Sequence, residues 1–198
     1  MITVKSECVP VQQEKKGICM ESRKPSRKRP RILIAGLGNS LLRDDGIGVH
    51  VVRELRKDFS VGRLAVEVGT AVLDALHLFE WADTILAIDA MQAGGSPGSI
   101  YSLGVNDIAE PGQYVSLHEI SFLRALEFLP KGHTPRITIL GVEPETIDYG
   151  LDLSPTLRAI LPRVISEAKG VVTQWNRRTR ATSSAVGVHG VIPRDLRT

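Results

Sequence analysis

Three nearly continuous apolar runs, RILIAG (31–36), TILAID (84–89) and RITILGV (136–142), set the narrowest limit on what this chain can fold into. A strand with one wet face alternates apolar and polar residues, whereas a strand apolar along its length is covered on both faces, as in a parallel sheet. Between the runs, apolar residues recur every three or four positions, the period of an amphipathic helix. Ile47, Val51, Leu55 and Phe59 form one such face, with Arg53, Glu54, Arg56 and Lys57 outward and His50 on a solvated flank. RLAVEV (63–68) alternates like a second strand, and Gly69-Thr70 turns into a helix through Val72, Leu73, Leu76 and Phe79, where His77 is a surface residue. SIYSLG (99–104) reads as an antiparallel edge strand. Strands alternating with helices over short loops predict an α/β fold, a three-layer sandwich around a mostly parallel sheet.

Two further helices follow. In SLHEISFLRALEFL (116–129), Leu117, Ile120, Leu123, Leu126 and Leu129 share a face, with Ser116 and Glu119 spaced as a capping box. The last helix begins at Ser154, a cap, with Pro155 in its first turn. Pro162 predicts a kink or a break within it.

The formal charge of +3 over 198 residues conceals an uneven distribution. Residues 1–31 hold 9 Lys/Arg against 3 Asp/Glu (+6), and residues 176–198 hold 5 against 1 (+4). The middle, 32–175, holds 11 against 18, a net of −7. The expected organisation is therefore a disordered basic tail over 1–30, one α/β domain over 31–175, and a loosely ordered basic tail over 176–198. An acidic domain offers no groove for nucleic acid. No apolar run approaches the roughly 20 residues of a membrane span, and no signal-peptide h-region opens the chain, so a cytoplasmic protein with no membrane partner is expected. Both cysteines, Cys8 and Cys19, precede the domain, which excludes a thiol nucleophile or a thiolate metal site within it.

The first apolar run leads into GLGNSLLRDDGIG (36–48), a strand-to-helix turn of the kind that places ligands at the carboxyl edge of an α/β sheet. It fits neither nucleotide pattern. The third glycine of a dinucleotide fingerprint would fall at Leu41, and no Gly-Lys-Ser/Thr follows. Adjacent Asp44 and Asp45 would repel a phosphate from a helix N-terminus. One aspartate can serve as a cap, but two in a loop with four glycines exceed that need and point to a cation. Asp89 ends the third strand, where a buried carboxylate is costly unless paired, hydrogen-bonded or metal-bound. In a parallel sheet Asp45 and Asp89 share an edge, and His118 enters from a loop-to-helix junction that can reach it. Two carboxylates, one imidazole and no thiol suit a borderline divalent metal: nickel, zinc, cobalt or manganese.

This ordered set resembles the hydrogenase maturation proteases over about residues 31–168. GLGNSLLRDDGIG is similar to the family's opening Gly-x-Gly-Asn…Asp-Asp/Glu-Gly-x-Gly signature. Gly69-Thr70, Asp89, His118 and GVEPE followed by LSPTL recur in the family's order. The resemblance implies a twisted five-stranded sheet with helices on both faces. It implies an endopeptidase, acting as a monomer, that removes a C-terminal extension from the large-subunit precursor of a nickel-iron hydrogenase after nickel insertion. The metal positions it implies are Asp45, Asp89 and His118, with nickel presented by the substrate and zinc or cadmium able to substitute. With no domain thiol, water is the expected nucleophile, and Asp44 is a candidate to orient it. The alternative is a non-catalytic nickel-binding chaperone using the same ligands; a generic metallopeptidase stands third. The basic tails lie outside the resemblance.

Overall fold

The three apolar runs form the middle of the sheet. In the computed structural model, which describes residues 30–57, 64–104 and 117–184 but not the side chains of 117–120 and 178–184, they are β1 (Ile32–Leu37), β3 (Thr84–Ala90) and β5 (Arg136–Val142). The edges are β2 (Leu64–Gly69) and β4 (Ile100–Gly104), giving the order β2-β1-β3-β5-β4. The four strands β2, β1, β3 and β5 are parallel, and β4 runs antiparallel to β5. Every residue of β1 and β3 is buried, as the lack of alternation in those strands requires.

Successive side chains on a strand point to opposite faces, and the two cores follow that alternation. On one face Ile32, Ile34, Leu86, Ile88, Leu140 and Val142 pack against α1 (Ile47–Arg56) and α4 (Pro155–Ser184). On the other, Leu33, Ala35, Ile85, Ala87 and Ile139 pack against α2 (Leu76–Trp81) and α3 (Leu117–Leu126). Phe79 of α2 meets Phe122 of α3 edge to face, with centroids 5.2 Å apart. The result is a three-layer α/β sandwich with helices on both faces.

Three local expectations change. The enclosed residues of α3 are Phe122 and Ala125, with Leu123, Leu126 and Leu129 only partly covered, so the buried face is rotated from the predicted one. Ser116 lies outside the described residues, and with it the capping box. The last helix runs unbroken through Pro162, which faces solvent, so the carbonyl that loses its partner can be hydrated. It also continues to Ser184, past the point where the apolar period fades. Its buried stripe is Leu157, Val164, Ala168, Val172 and Trp175, and Trp175 anchors a last turn that the polar sequence beyond it does not announce.

Candidate active site

The carboxyl edge of the sheet is built by an unusually close approach of helix to strand. A Cβ on Gly48 would collide with the carbonyl oxygen of Ile88, and one on Gly36 with the carbonyl oxygen of Gly48. Two facing glycines therefore let the first turn of α1 rest on the backbones of β1 and β3. That contact brings the turn before α1, a 3₁₀ segment Arg43–Gly46, over the end of β3 where Asp89 stands.

Gly38 is the hinge of this arrangement. Its φ of +99° lies in the left-handed region, and a Cβ there would strike the carbonyl oxygen of Asp45. The same Cβ would lie 3.3 Å from Asp89 Oδ1, so Asp45 and Asp89 both border the space beside Gly38. Asp45 Oδ2 accepts a hydrogen bond from Asn39 N–H at 2.7 Å, and Asp89 Oδ1 accepts one from Ala90 N–H at 2.9 Å. Both residues are buried, at 7% and 1% exposure. A small cleft of about 250 Å³ opens at the Gly38–Ser40 turn, lined also by Glu67 and Thr70 among others; neither aspartate is part of its lining.

Asp44 has a different task from its neighbour. It is fully enclosed, and its two oxygens accept hydrogen bonds from the N–H groups of Ser154 (2.7 Å), Glu145 (2.9 Å) and Thr146 (3.0 Å). Its carboxylate ties down the loop between β5 and α4. Glu143, at the end of β5, does the same for the loop after β3. Its carboxylate accepts from Ala93 N–H (2.9 Å), Gly94 N–H (3.3 Å) and the Tyr101 hydroxyl (3.0 Å). Partial burial, and then the Glu143 carboxylate, hold the Tyr101 phenol above its ordinary pKa. Sequence reasoning placed Glu143 in a motif without assigning it a task; a buried glutamate at a strand end was the available signal.

Glu145 closes the arrangement on the surface. It accepts a hydrogen bond from Thr156 N–H at 3.3 Å, and Thr156 and Ser154 hold its carboxyl below the usual range. Ser154 caps α4 as expected, its hydroxyl accepting from Leu157 N–H at 3.2 Å. His77 is exposed, as expected. His50 is not simply solvated: its Nε2 is enclosed without a hydrogen bond, and burial, then the nearby Arg53, lowers its pKa.

His118 falls in the first turn of α3, and its side chain lies outside the described residues. Among the described residues, no three His, Cys, Asp or Glu side chains gather as a metal site; Asp45 and Asp89 both lie against Gly38, the first through its backbone carbonyl and the second through its carboxylate. A pair of buried carboxylates held by backbone N–H groups is a hard-to-borderline donor set, suited to a cation that brings other ligands with it.

A mostly parallel five-stranded sheet with helices on both faces, buried acidic residues at its carboxyl edge and no thiol in the domain defines an α/β protein whose candidate site is built on carboxylates. Comparison with known proteins narrows this class: a family model described as hydrogenase maturation protease matches residues 49–170. The chain is 28% identical over 176 residues to the hydrogenase expression/formation protein HupD of Rhizobium leguminosarum bv. viciae, covering 84% of this chain and 86% of that protein. The structure of the [NiFe] hydrogenase maturation protease HybD from Thermococcus kodakarensis superposes with a TM-score of 0.63 at 28% identity, over 72% of this chain and 99% of that one. The hydrogenase maturating endopeptidase HybD from E. coli gives a TM-score of 0.63 at 26% identity, over 73% and 93%. The chain belongs to the hydrogenase maturation protease family, and it is a peptidase. No helix among the described residues is long and apolar enough to cross a membrane.

Proposed function

We propose that this peptidase removes the C-terminal extension of the large-subunit precursor of a nickel-iron hydrogenase, and that it acts only after nickel has been inserted. The observation that carries this reading is the convergence of Asp45 and Asp89 on the space beside Gly38, in a member of this family. The two carboxylates, with the His118 imidazole from the start of α3, grip nickel that the precursor already holds. The metal then belongs to the substrate, and recognition of it explains why an unloaded precursor is spared. Zinc or cadmium would occupy the same donors in a loaded protein.

The remaining roles belong to the chain itself. Gly38 has no side chain to bar approach to the Asp89 carboxylate, and Asn39 N–H holds the Asp45 carboxylate in place. Asp44 and Glu143 fix the two loops that wall the site. Water adds across the scissile amide, giving a new carboxyl terminus and a free amine on the released peptide. The reading includes a monomeric enzyme acting in the cytoplasm.

The test is intact-mass measurement of nickel-loaded and nickel-free precursor after incubation with the protein. Loss of a C-terminal segment from the loaded form alone is expected. Trimming of both forms equally defeats the gating model, and binding of the loaded form without trimming defeats the proteolytic one.

A further inference from the structure

Arg43, two residues before Asp45, combines several features that the metal-gripping reading leaves unexplained. Among the described residues it is the one non-glycine residue with a positive φ, at 47°. Such a conformation is costly for a long side chain, and it persists where the surroundings enforce it. They do here: Arg43 N–H donates to the Gly150 carbonyl at 2.9 Å, and Gly150 N–H donates to the Leu41 carbonyl at 3.0 Å. The side chain is folded over Gly150, where an added Cβ would lie 2.9 Å from both Cγ and Nε.

The guanidinium so positioned is under-used. Its Nε is enclosed and makes no hydrogen bond, and the nearest carboxylate, Asp148 Oδ1, is 3.8 Å away on a side chain 64% exposed. An enclosed donor without an acceptor carries a desolvation cost, and the long ion pair to Asp148 leaves the rest of the guanidinium weakly engaged. Arg43 lines a cleft of about 570 Å³ together with Leu151, Leu153, Pro155 and a second arginine, Arg158 of α4. Among the described residues Arg158 reaches the Leu153 carbonyl, at 3.3 Å, and Asp152, at 3.8 Å on a side chain 88% exposed. Around the cleft Leu41, Ile147, Tyr149 and Leu151 are exposed, a cluster of large apolar residues suited to a polypeptide.

We propose that the Arg43–Arg158 cleft is a substrate subsite that takes a carboxylate of the polypeptide being processed. Guanidinium pairs carboxylate through two parallel hydrogen bonds, a geometry that the terminal nitrogens of an arginine can supply. Arg43 stands two residues before Asp45 in one turn, so a chain held at Asp45 and Asp89 has its adjoining residues near the cleft. The carboxylate is an Asp or Glu side chain or the chain terminus of the extension. The proposal rests on the processing reading above and adds what the protease recognises beside the metal.

Steady-state processing of nickel-loaded precursor by Arg43→Asn tests it, because asparagine tolerates a positive φ and removes the charge. KM should rise about tenfold or more, the loss of a charge-assisted hydrogen bond, with kcat within about twofold of the wild type. Precursors with single Asp→Asn or Glu→Gln changes near the scissile bond, and one ending in an amide, separate the two sources. One of them should reproduce the loss with the wild-type enzyme and show no further loss with Arg43→Asn. An unchanged KM, a loss confined to kcat, or losses that simply multiply for every precursor would overturn the proposal. If Arg43→Asn fails to fold, Arg158→Gln is read by the same criteria. If the wild type leaves the precursor uncut, the processing reading fails separately. Fluorescence anisotropy of labelled precursor then decides the subsite: weaker binding to Arg43→Asn supports it, and equal binding removes it.

Discussion

The two edges of the sheet hold acidic residues in opposite ways. At the amino edge Asp83 pairs with Arg31, 2.7 Å from guanidinium to carboxylate, on side chains 43% and 46% exposed. The same guanidinium sits 5.9 Å over the Trp81 ring, and Asp83 also accepts from Arg31 N–H. At the carboxyl edge Asp44 and Glu143 are enclosed, and their oxygens are met by backbone N–H groups and one tyrosine hydroxyl. A surface ion pair is screened by water and contributes little. A carboxylate enclosed among N–H donors has its oxygens taken up by the backbone, so it can hold the loops beneath the proposed cation site without competing for the metal.

The sharpest way to break this contrast is to remove Asp44. Asp44→Ala leaves three N–H groups without their acceptor, that of Ser154 buried and those of Glu145 and Thr146 partly so, and should cost about 3 kcal/mol, read as a lower urea midpoint at unchanged m-value. Asn is no rescue, since its amide nitrogen would face donors. A loss like that of a surface pair would mean that the carboxyl edge is no more organised than the amino one. Next comes the split between neighbours. Asp89→Asn, Asp45→Asn and His118→Ala should each lower processing of the loaded precursor by about 10²-fold, or about 2.7 kcal/mol in the barrier. Each should change folding stability by far less than Asp44→Ala. Wild-type rates in His118→Ala would end the three-ligand reading, and an unfolded variant would make that histidine structural.

Smaller effects sharpen the other side. Asp83→Asn should lower stability by about 0.2–1 kcal/mol, and added salt should shrink the difference from the wild type. Glu145 gives the least. Its carboxyl is held below the ordinary value of 4.5 by Thr156 and Ser154, so its contribution is fully present above that value and fades as the pH falls through the lowered one. The difference in thermal midpoint between wild type and Glu145→Gln should stay constant down to about pH 5 and narrow below it. A difference that grows on acidification would reverse the assignment.

These contrasts also mark how far the sequence could be read. The central strands were legible because burial on both faces leaves an unbroken apolar run, and Asp89 because a carboxylate ends one of them. The edge position of β4 was legible from its short polar-apolar mixture. The division of labour between Asp44 and Asp45 was not, since the partners of Asp44 lie 101, 102 and 110 positions away. Adjacent identical residues carry no local sign of which way each will turn. The reach of α4 was hidden for another reason. Beyond Trp175 the helix has little apolar period to display, so only its continuity with the buried stripe betrays it.

That helix has a practical consequence. It starts at the wall of the site, where Ser154 is tied to Asp44, and its 30 residues span about 45 Å at the usual rise. The parallel strands beneath it, at most 7 residues long, measure only about 23 Å. The helix thus acts as a gangway, its far end at Ser184 standing well away from the cleft at its start. A fluorophore or affinity handle attached there would leave the docking face open, whereas one grafted into the segment 147–151 would sit in the doorway.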